Sequence, residues 1–205
     1  MEKPPLLSRE QAAAVREIAT IVADQAGNAL SRLLKIPVRI STFEVVTIGY
    51  SEIPDMFGGL DALAIGVLVP FQGDVEGNAL ILFPEEGIGE LEGILLGSSG
   101  QAETDLRLSA FAETGNILTG TLLTVLSSLS EKIVVSLPPL LVQDMAGAIL
   151  DTIMAEVGLW SDEVTTLVFQ LTDSEGTGLV RFVLIPDVAG IELFLEAAGR
   201  LRAGH

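Results

Sequence analysis

The first strongly periodic segment of the chain is helix-like and lies near its start. Ser8-Arg9-Glu10-Gln11 has the form of a capping box, with a hydroxyl at the N-cap and an amide three residues later. Lys35-Ile36-Pro37 ends the predicted helix, because proline cannot continue it. Between these signals, apolar residues recur at helical spacing and predict one buried face: Val15, Ile18, Val22, Ala26, Ala29 and Leu33.

Strand-like segments follow this helix, and their pattern recurs later in the chain. Runs rich in β-branched residues predict strands at 38–48 and 63–69. Asp74-Val75-Glu76-Gly77 then precedes an apolar strand, a proline and an amphipathic stretch. Asp173-Ser174-Glu175-Gly176 precedes the same three features in the same order. The Asp/Glu-Gly pairs predict tight hairpin turns, which is a simpler interpretation than a phosphate or metal site.

This internal repeat predicts the domain organisation. We expect a single domain over residues 1–205, with half-repeats at approximately 7–97 and 103–202. Gly97-Ser98-Ser99-Gly100 would be a flexible boundary between the halves. The predicted fold class is α+β: an internally duplicated, pseudo-two-fold antiparallel sheet with long helices packed on one face.

The second long helix carries the most suggestive polar residues. Ser109, Glu113 and Asn116 are four and three residues apart, which places them on one helical face. On spacing alone, a solvated polar face is the simpler interpretation. The opposite face is apolar: Leu108, Phe111, Ile117, Leu118, Leu122 and Val125.

Composition narrows the chemistry that is available. The chain has no cysteine, and its one histidine, His205, is its last residue. Thiolate nucleophiles, disulfides, catalytic triads and His-rich zinc sites are therefore excluded. With 28 acidic and 11 basic side chains the formal net charge is −17, which disfavours nucleic acid and anionic membranes as partners. Carboxylates, amides, hydroxyls and the backbone must do any chemistry.

The high apolar content raises the question of a membrane span. Apolar residues make up 49% of the chain and the mean hydropathy is +0.54. The longest uncharged stretch, 114–130, contains Thr, Ser and Gly, and it is typical of a buried helix rather than of a span of about 20 apolar residues. The opening MEKPPLLSREQ lacks the apolar core of a signal peptide. We therefore expect a cytoplasmic protein without membrane insertion.

One motif in the second half resembles a known family. Ser109-x3-Glu113-x2-Asn116, followed by twenty-two residues and Pro139, is similar to the signature of the CheC/CheX/FliY family of chemotaxis phosphatases. Glu113-Thr114-Gly115-Asn116-Ile117 also resembles the Glu-Ile-Gly-Asn-Ile of that family. The length and the duplication resemble CheC-type members over essentially the whole chain.

The resemblance implies an activity and roles for these residues. Such proteins dephosphorylate the aspartyl phosphate of a CheY-like response regulator in a two-component system. By resemblance, Asn116 would position the attacking water and Glu113 would dock to the regulator's lysine, while Ser109 would shape the docking surface and Pro139 would be structural. No cofactor is expected on this chain, since Mg²⁺ would be bound by the regulator. CheD is a further partner that the resemblance allows.

The first half carries a degenerate copy of the motif. The equivalent positions are Ala13, Glu17, Thr20 and Phe43, so only the glutamate is kept. A threonine hydroxyl on a β-branched carbon is too short to replace an asparagine amide. We therefore expect one working site, at Glu113 and Asn116, and a degenerate first site at Glu17 and Thr20.

Two other functions compete with this hypothesis. A non-catalytic adaptor or scaffold, similar to the FliM middle domain or binding CheD, would have no need for the Glu113/Asn116 pair. A metal-dependent hydrolase could in principle use acidic residues such as Glu85-Glu86 or Asp61. Because a metal site needs carboxylates that converge from separate elements, and these lie near predicted turns, we disfavour the hydrolase.

Overall fold

The structure is a computed structural model, and it describes residues 7–49, 59, 61–96, 104–157, 163–186 and 188–203. The predicted boundary Gly97-Ser98-Ser99-Gly100 and the terminal His205 lie outside the described residues. No helix in the described ranges is long and apolar enough to cross a bilayer.

Five helices and seven strands make up the described chain. In order they are α1 (Arg9–Leu34), β1 (Arg39–Gly49), β2 (Leu63–Gly73), β3 (Gly77–Pro84), α2 (Glu85–Leu96), α3 (Thr104–Ser130), β4 (Val134–Ser136), β5 (Leu140–Met145), α4 (Ala146–Val157), β6 (Glu163–Thr172), β7 (Gly178–Pro186) and α5 (Val188–Ala203).

The seven strands form one antiparallel sheet whose order shows the duplication. The order is β1-β6-β7-β3-β2-β4, and β5 also pairs with β2. Hairpins β2–β3 and β6–β7 meet at the centre, where Leu80 pairs with Val183 and Ile81 with Phe182. Strand β1 lies outside β6, as β4 and β5 lie outside β2. This confirms the predicted pseudo-two-fold antiparallel sheet.

The long helices cover one face of the sheet, as predicted. Alternate strand residues such as Ile81 and Phe182 point to this face and are fully buried with Ile18 of α1, Phe111 of α3 and Phe194 of α5. This burial of large apolar side chains is the main favourable term in folding.

Helix α4 packs on the other face of the sheet and has no counterpart among the predicted elements. Ile149 and Leu150 of α4 are buried there with Leu80, Leu82 and Val183. A Cβ at Gly66 of β2 would lie 2.5 Å from Ile149 Cγ2, so a glycine is needed for this close approach. The sheet therefore has a helix on each face, with the long helices on one.

The residues that follow α1 and α3 show which positions of the two helices are equivalent. The predicted capping box is present: Ser8 Oγ accepts from Gln11 N at 3.1 Å and Gln11 Oε1 accepts from Ser8 N at 2.9 Å. Each helix is followed by a residue in the left-handed conformation, Lys35 with φ 57° and Glu131 with φ 59°. Lys35 and Glu131 are as far apart along the chain as Glu17 and Glu113, so the two glutamates occupy equivalent helical positions.

The two predicted hairpin turns differ in detail. The β6–β7 turn is as predicted, with Gly176 at φ +93°. The β2–β3 chain reversal also lies at the predicted segment, and Gly77 follows it as the first residue of β3, opposite Phe71. The left-handed glycine of that turn is Gly73, with φ +141°. A Gly-Asp-Val-Glu turn thus takes its glycine at the end of β2.

Candidate active site on helix α3

A glycine brings α3 close to the sheet and so determines which residues face outwards. A Cβ at Gly115 would lie 2.7 Å from Val67 Cγ1 of β2, closer than real Cβ contacts come. Thr114 and Gly115 are therefore buried against the sheet, while Glu113 on one side of them is exposed. Local helix packing thus turns the predicted polar face towards solvent.

The predicted site residues lie together on this outward face. Ser109 and Glu113 are exposed, and Asn116 is half-buried. Within the described part of the chain, none of the three side chains has a hydrogen-bond or ion-pair partner. We call the outward row of Leu106, Ser109, Glu113, Asn116 and Gly120 the α3 surface.

The α3 surface is almost uncharged. Glu113 is the only charged residue between Leu108 and Ser130. The neighbours along the row are small, and a Cβ built at Gly120 would meet nothing within 4 Å. An isolated carboxylate and an amide therefore project from a low, uncharged strip of helix.

Leu106 belongs to this surface although it was not among the predicted site residues. It is 57% exposed and lies three residues before Ser109, so it continues the row towards the start of α3. Its signal in the sequence is an apolar residue at the spacing of the polar face. It gives the site an apolar end.

Arg107 fastens the same end of α3 to two other elements. Its Nη1 lies 2.6 Å from Glu92 Oε1 of α2, and its Nη2 donates to Gln143 Oε1 of β5 at 2.5 Å. Both members of the ion pair are about three-quarters buried, with 23% and 28% of their side chains exposed. Arg107 therefore helps to orient the helix that carries the site.

The structure places Pro139 on a different element from the other motif residues. It lies between β4 and β5, in the edge strand that pairs with β2. Ser136 pairs with Phe71 and Leu140 with Leu68, so the edge strand has one more residue than β2 over this interval, which is a β-bulge. A proline fits there because it has no N–H to donate. The helix itself already ends at Ser130.

Two of the equivalent residues of the first half, Glu17 and Thr20, make side-chain contacts within the chain. Arg202 of α5 donates from Nε to Glu17 Oε2 at 3.0 Å, and its Nη2 lies 3.0 Å from the same oxygen. Thr20 Oγ1 donates to the carbonyl of Arg16 at 2.8 Å. Ala13 is exposed, and Phe43 lies in β1 opposite Phe169. The two glutamates thus have different surroundings.

Acidic residues elsewhere do not form a metal site in the described ranges. No group of three or more His, Cys, Asp or Glu there could hold a metal ion. Glu85 is the first residue of α2, and Glu86 Oε1 lies 3.9 Å from Arg181 Nη2. The acidic residues considered for a hydrolase therefore do not converge.

One carboxyl pair has perturbed acidity. Partial desolvation raises the pKa of Glu90, and the charge of Asp173, a hydrogen bond to it and the charge of Glu175 raise it further. Burial also acts to raise the pKa of Asp173, but hydrogen bonds from the backbone of Thr177, Glu175 and Gly176 outweigh it and lower the pKa. These hydrogen bonds close the β6–β7 turn, with Asp173 Oδ1 at 2.9 Å from Glu175 N and 2.8 Å from Thr177 N.

The chemistry that the α3 surface offers follows from its two functional groups. A carboxamide can accept a hydrogen bond through its oxygen and donate two through its NH₂, so it can orient a water molecule. A carboxylate accepts hydrogen bonds, most strongly from a cation once water is excluded. Asn116 and Glu113, one turn apart, can therefore hold a water and a cation on the same surface.

Comparisons with known proteins agree with this fold and motif. No protein-family model matches the chain. The chain is 27% identical over 201 residues to the CheY-P phosphatase CheC of Bacillus subtilis (strain 168), covering 94% of this chain and 96% of that one. Its fold is similar to Thermotoga maritima FliY, with TM-score 0.70, 18% identity and coverage of 93% and 98%. The FliM middle domain of H. pylori is also similar, with TM-score 0.65, 16% identity and coverage of 93% and 99%. In sequence the chain is thus similar to a CheC protein, and in fold to FliY and to the FliM middle domain.

Proposed function

We propose that this chain removes the phosphoryl group from the aspartyl phosphate of a CheY-like response regulator, using the α3 surface. The observation that carries the proposal is the outward-facing pair of the exposed Glu113 and the half-buried Asn116, whose side chains are left without partners in the described part of the chain. Similarity to a CheY-P phosphatase along nearly the whole chain supports the same function.

Asn116 is the catalytic residue in this proposal. An acyl phosphate is already activated, so the main task is to hold a water molecule in line with the leaving carboxylate. The amide of Asn116 accepts from and donates to that water. The magnesium ion belongs to the regulator, and the chain itself contributes no metal or cofactor.

Glu113 docks the regulator in this proposal. It is the only charge on a strip of small side chains, so a partner's lysine meets one carboxylate with no competing cation beside it. Contact with the regulator excludes water and strengthens this pair. The pair then sets how far Asn116 reaches into the regulator's site.

The remaining motif residues support the docked geometry. Ser109 lies one turn before Glu113 and Leu106 one turn before Ser109, so together they extend the contact with a hydroxyl and an apolar side chain. Pro139 maintains the bulged edge strand beside β2. These roles concern docking and structure rather than proton transfer.

Paired substitutions in the two halves test the proposal. Asn116→Ala should lower the rate of dephosphorylation by about 10²–10³, the usual cost of removing a group that positions the transition state. Thr20→Ala, at the equivalent position of α1, should leave the rate unchanged. The measurement is phosphate release from CheY phosphorylated in Mg²⁺. Full activity in Asn116→Ala would overturn the assignment.

A second candidate function is a non-catalytic adaptor of the chemotaxis or flagellar switch system, with CheD as one candidate partner. The similarity in fold to the FliM middle domain favours it. A retained amide beside a free carboxylate favours the phosphatase, since an adaptor needs neither. The same assay separates the two: an adaptor would bind the phosphorylated regulator without shortening the lifetime of its phosphate.

A further inference from the structure

The Glu17–Arg202 ion pair joins two elements that are far apart in sequence. Glu17 lies on α1 and Arg202 in the last turn of α5, and two guanidinium nitrogens converge at 3.0 Å on Glu17 Oε2. The side chains remain 41% and 49% exposed, so the pair lies at the surface rather than in the core. Arg202 is therefore a counter-ion for Glu17 at the protein surface.

Glu17 occupies the position in α1 that Glu113 occupies in α3, as the left-handed residues after the two helices show. Glu113 has no cation beside it within the described residues, whereas Glu17 has Arg202 in contact and Arg16 next to it in sequence. The residue before Glu113 is Ala112. Two equivalent carboxylates thus differ in whether the chain itself supplies a cation.

We propose that the first-half helix is a closed copy of the docking surface, in which Arg202 supplies to Glu17 the cation that the regulator supplies to Glu113. The inference rests on the proposed function and adds to it that each chain docks one regulator. A lysine approaching Glu17 must displace a guanidinium already held by two contacts, and it is repelled by the same positive charge.

The closure is reversible because an exposed ion pair is weak. Such pairs contribute little to stability, so removing Arg202 should leave the fold intact while it frees the carboxylate. Arg200 offers a matched control. It lies two residues away on α5 and pairs with Glu131 Oε1 at 2.7 Å, so Arg200→Ala removes the same charge without freeing Glu17.

The test is binding of phosphorylated CheY, held in that state with beryllium fluoride and Mg²⁺, to chains in which the α3 surface is disabled by Glu113→Ala. Adding Arg202→Ala should raise the residual affinity about fivefold, the factor that corresponds to releasing an exposed ion pair. Adding Arg200→Ala should not change it. Adding Glu17→Ala to the Arg202→Ala variant should remove the gain.

Equal affinity with and without Arg202, an equal gain from Arg200→Ala, or a gain that survives Glu17→Ala would each overturn the inference. The unaltered chain tests the proposed function separately. If it neither binds the phosphorylated regulator nor releases its phosphate, the proposed function falls as well. If it does both at one regulator per chain and Arg202→Ala has no effect, only the closed copy is wrong.

A second readout is activity. In the Asn116→Ala background, Thr20→Asn with Arg202→Ala should release phosphate faster than Thr20→Asn with Arg200→Ala, because only the first combination frees Glu17. Equal rates for the two combinations would contradict a closing role for Arg202.

Discussion

Helices α1 and α3 occupy equivalent positions on one face of the sheet, yet their outward faces differ in charge and in contacts within the chain. The outward row of α1 contains Glu10, Glu17 and Asp24, and Glu17 is joined to Arg202. The equivalent row of α3 has one charge, Glu113, which no described residue engages. The two halves thus share one scaffold, but the glutamate of α1 is paired within the chain and the glutamate of α3 is not.

Removing each of the two glutamates in turn is the strongest test of this comparison. Glu113→Ala should lower kcat/KM for phosphorylated CheY by about thirtyfold or more, because a lysine would be left desolvated and unpaired in the docked complex, which typically costs about 2 kcal/mol or more. Glu17→Ala should leave kcat/KM unchanged and alter the free energy of unfolding by less than about 1 kcal/mol. Steady-state phosphate release and chemical denaturation measure both. A large loss of activity in Glu17→Ala would mean that α1 also docks the regulator.

Helices α1 and α3 also differ in the residue that faces the sheet at equivalent positions. Gly115 of α3 has Ala19 as its counterpart in α1, where the methyl group is accommodated at 3% exposure. Gly115→Ala should destabilise the fold by about 1–2 kcal/mol, since overpacking against Val67 outweighs the better helix propensity of alanine. The measurement is the urea midpoint at constant m-value.

Gly120 provides the control for Gly115 on the same helix. Because a Cβ there meets nothing within 4 Å, Gly120→Ala should stabilise the fold by about 0.5–1 kcal/mol. Val67→Ala should cost less stability in the Gly115→Ala background than in the wild type, because it removes the clashing methyl. A neutral Gly115→Ala variant would show that α3 can move away from β2 at little cost.

The long amphipathic elements could be predicted from sequence because their apolar periods are local. The capping box at Ser8 and the polar spacing of Glu113 and Asn116 follow from residues a few positions apart. Helix α4 was missed although its segment AGAILDTIMAEV is about as amphipathic at helical spacing as α1. What the sequence does not show is that this apolar face packs on the sheet face opposite the long helices.

The surroundings of the site could not be predicted, because they depend on contacts between distant segments. Arg202 is 185 residues from Glu17, and neither residue signals the other in sequence. The bulge at Pro139 is visible only once β4 and β5 are both aligned with β2. Sequence therefore identifies which groups could act, and the fold decides which of them are left free to do so.

The smallest difference between the halves lies in their hairpin turns. Asp74 Oδ2 accepts from Ile133 N at 2.8 Å, which ties the first hairpin to the segment after α3. Asp173 instead closes its own turn and lies beside Glu90 of α2, whose pKa it helps to raise. A raised carboxyl pKa favours folding in acid, and that contribution is lost as the pH rises through the raised pKa.

Replacing Glu90 with glutamine should remove this loss of stability at higher pH. Glu90→Gln should match the wild-type stability near about pH 4 and exceed it slightly near about pH 7, where wild-type Glu90 is ionised beside Asp173. Asp173→Asn should instead lower the stability at about pH 7. The lowered pKa of Asp173 stabilises the fold above the ordinary pKa of aspartate, and this contribution is lost as the pH falls through the lowered pKa. Urea denaturation across this pH range measures both variants. Parallel stability curves for wild type and Glu90→Gln would show that the Glu90–Asp173 pair does not distinguish the second hairpin from the first.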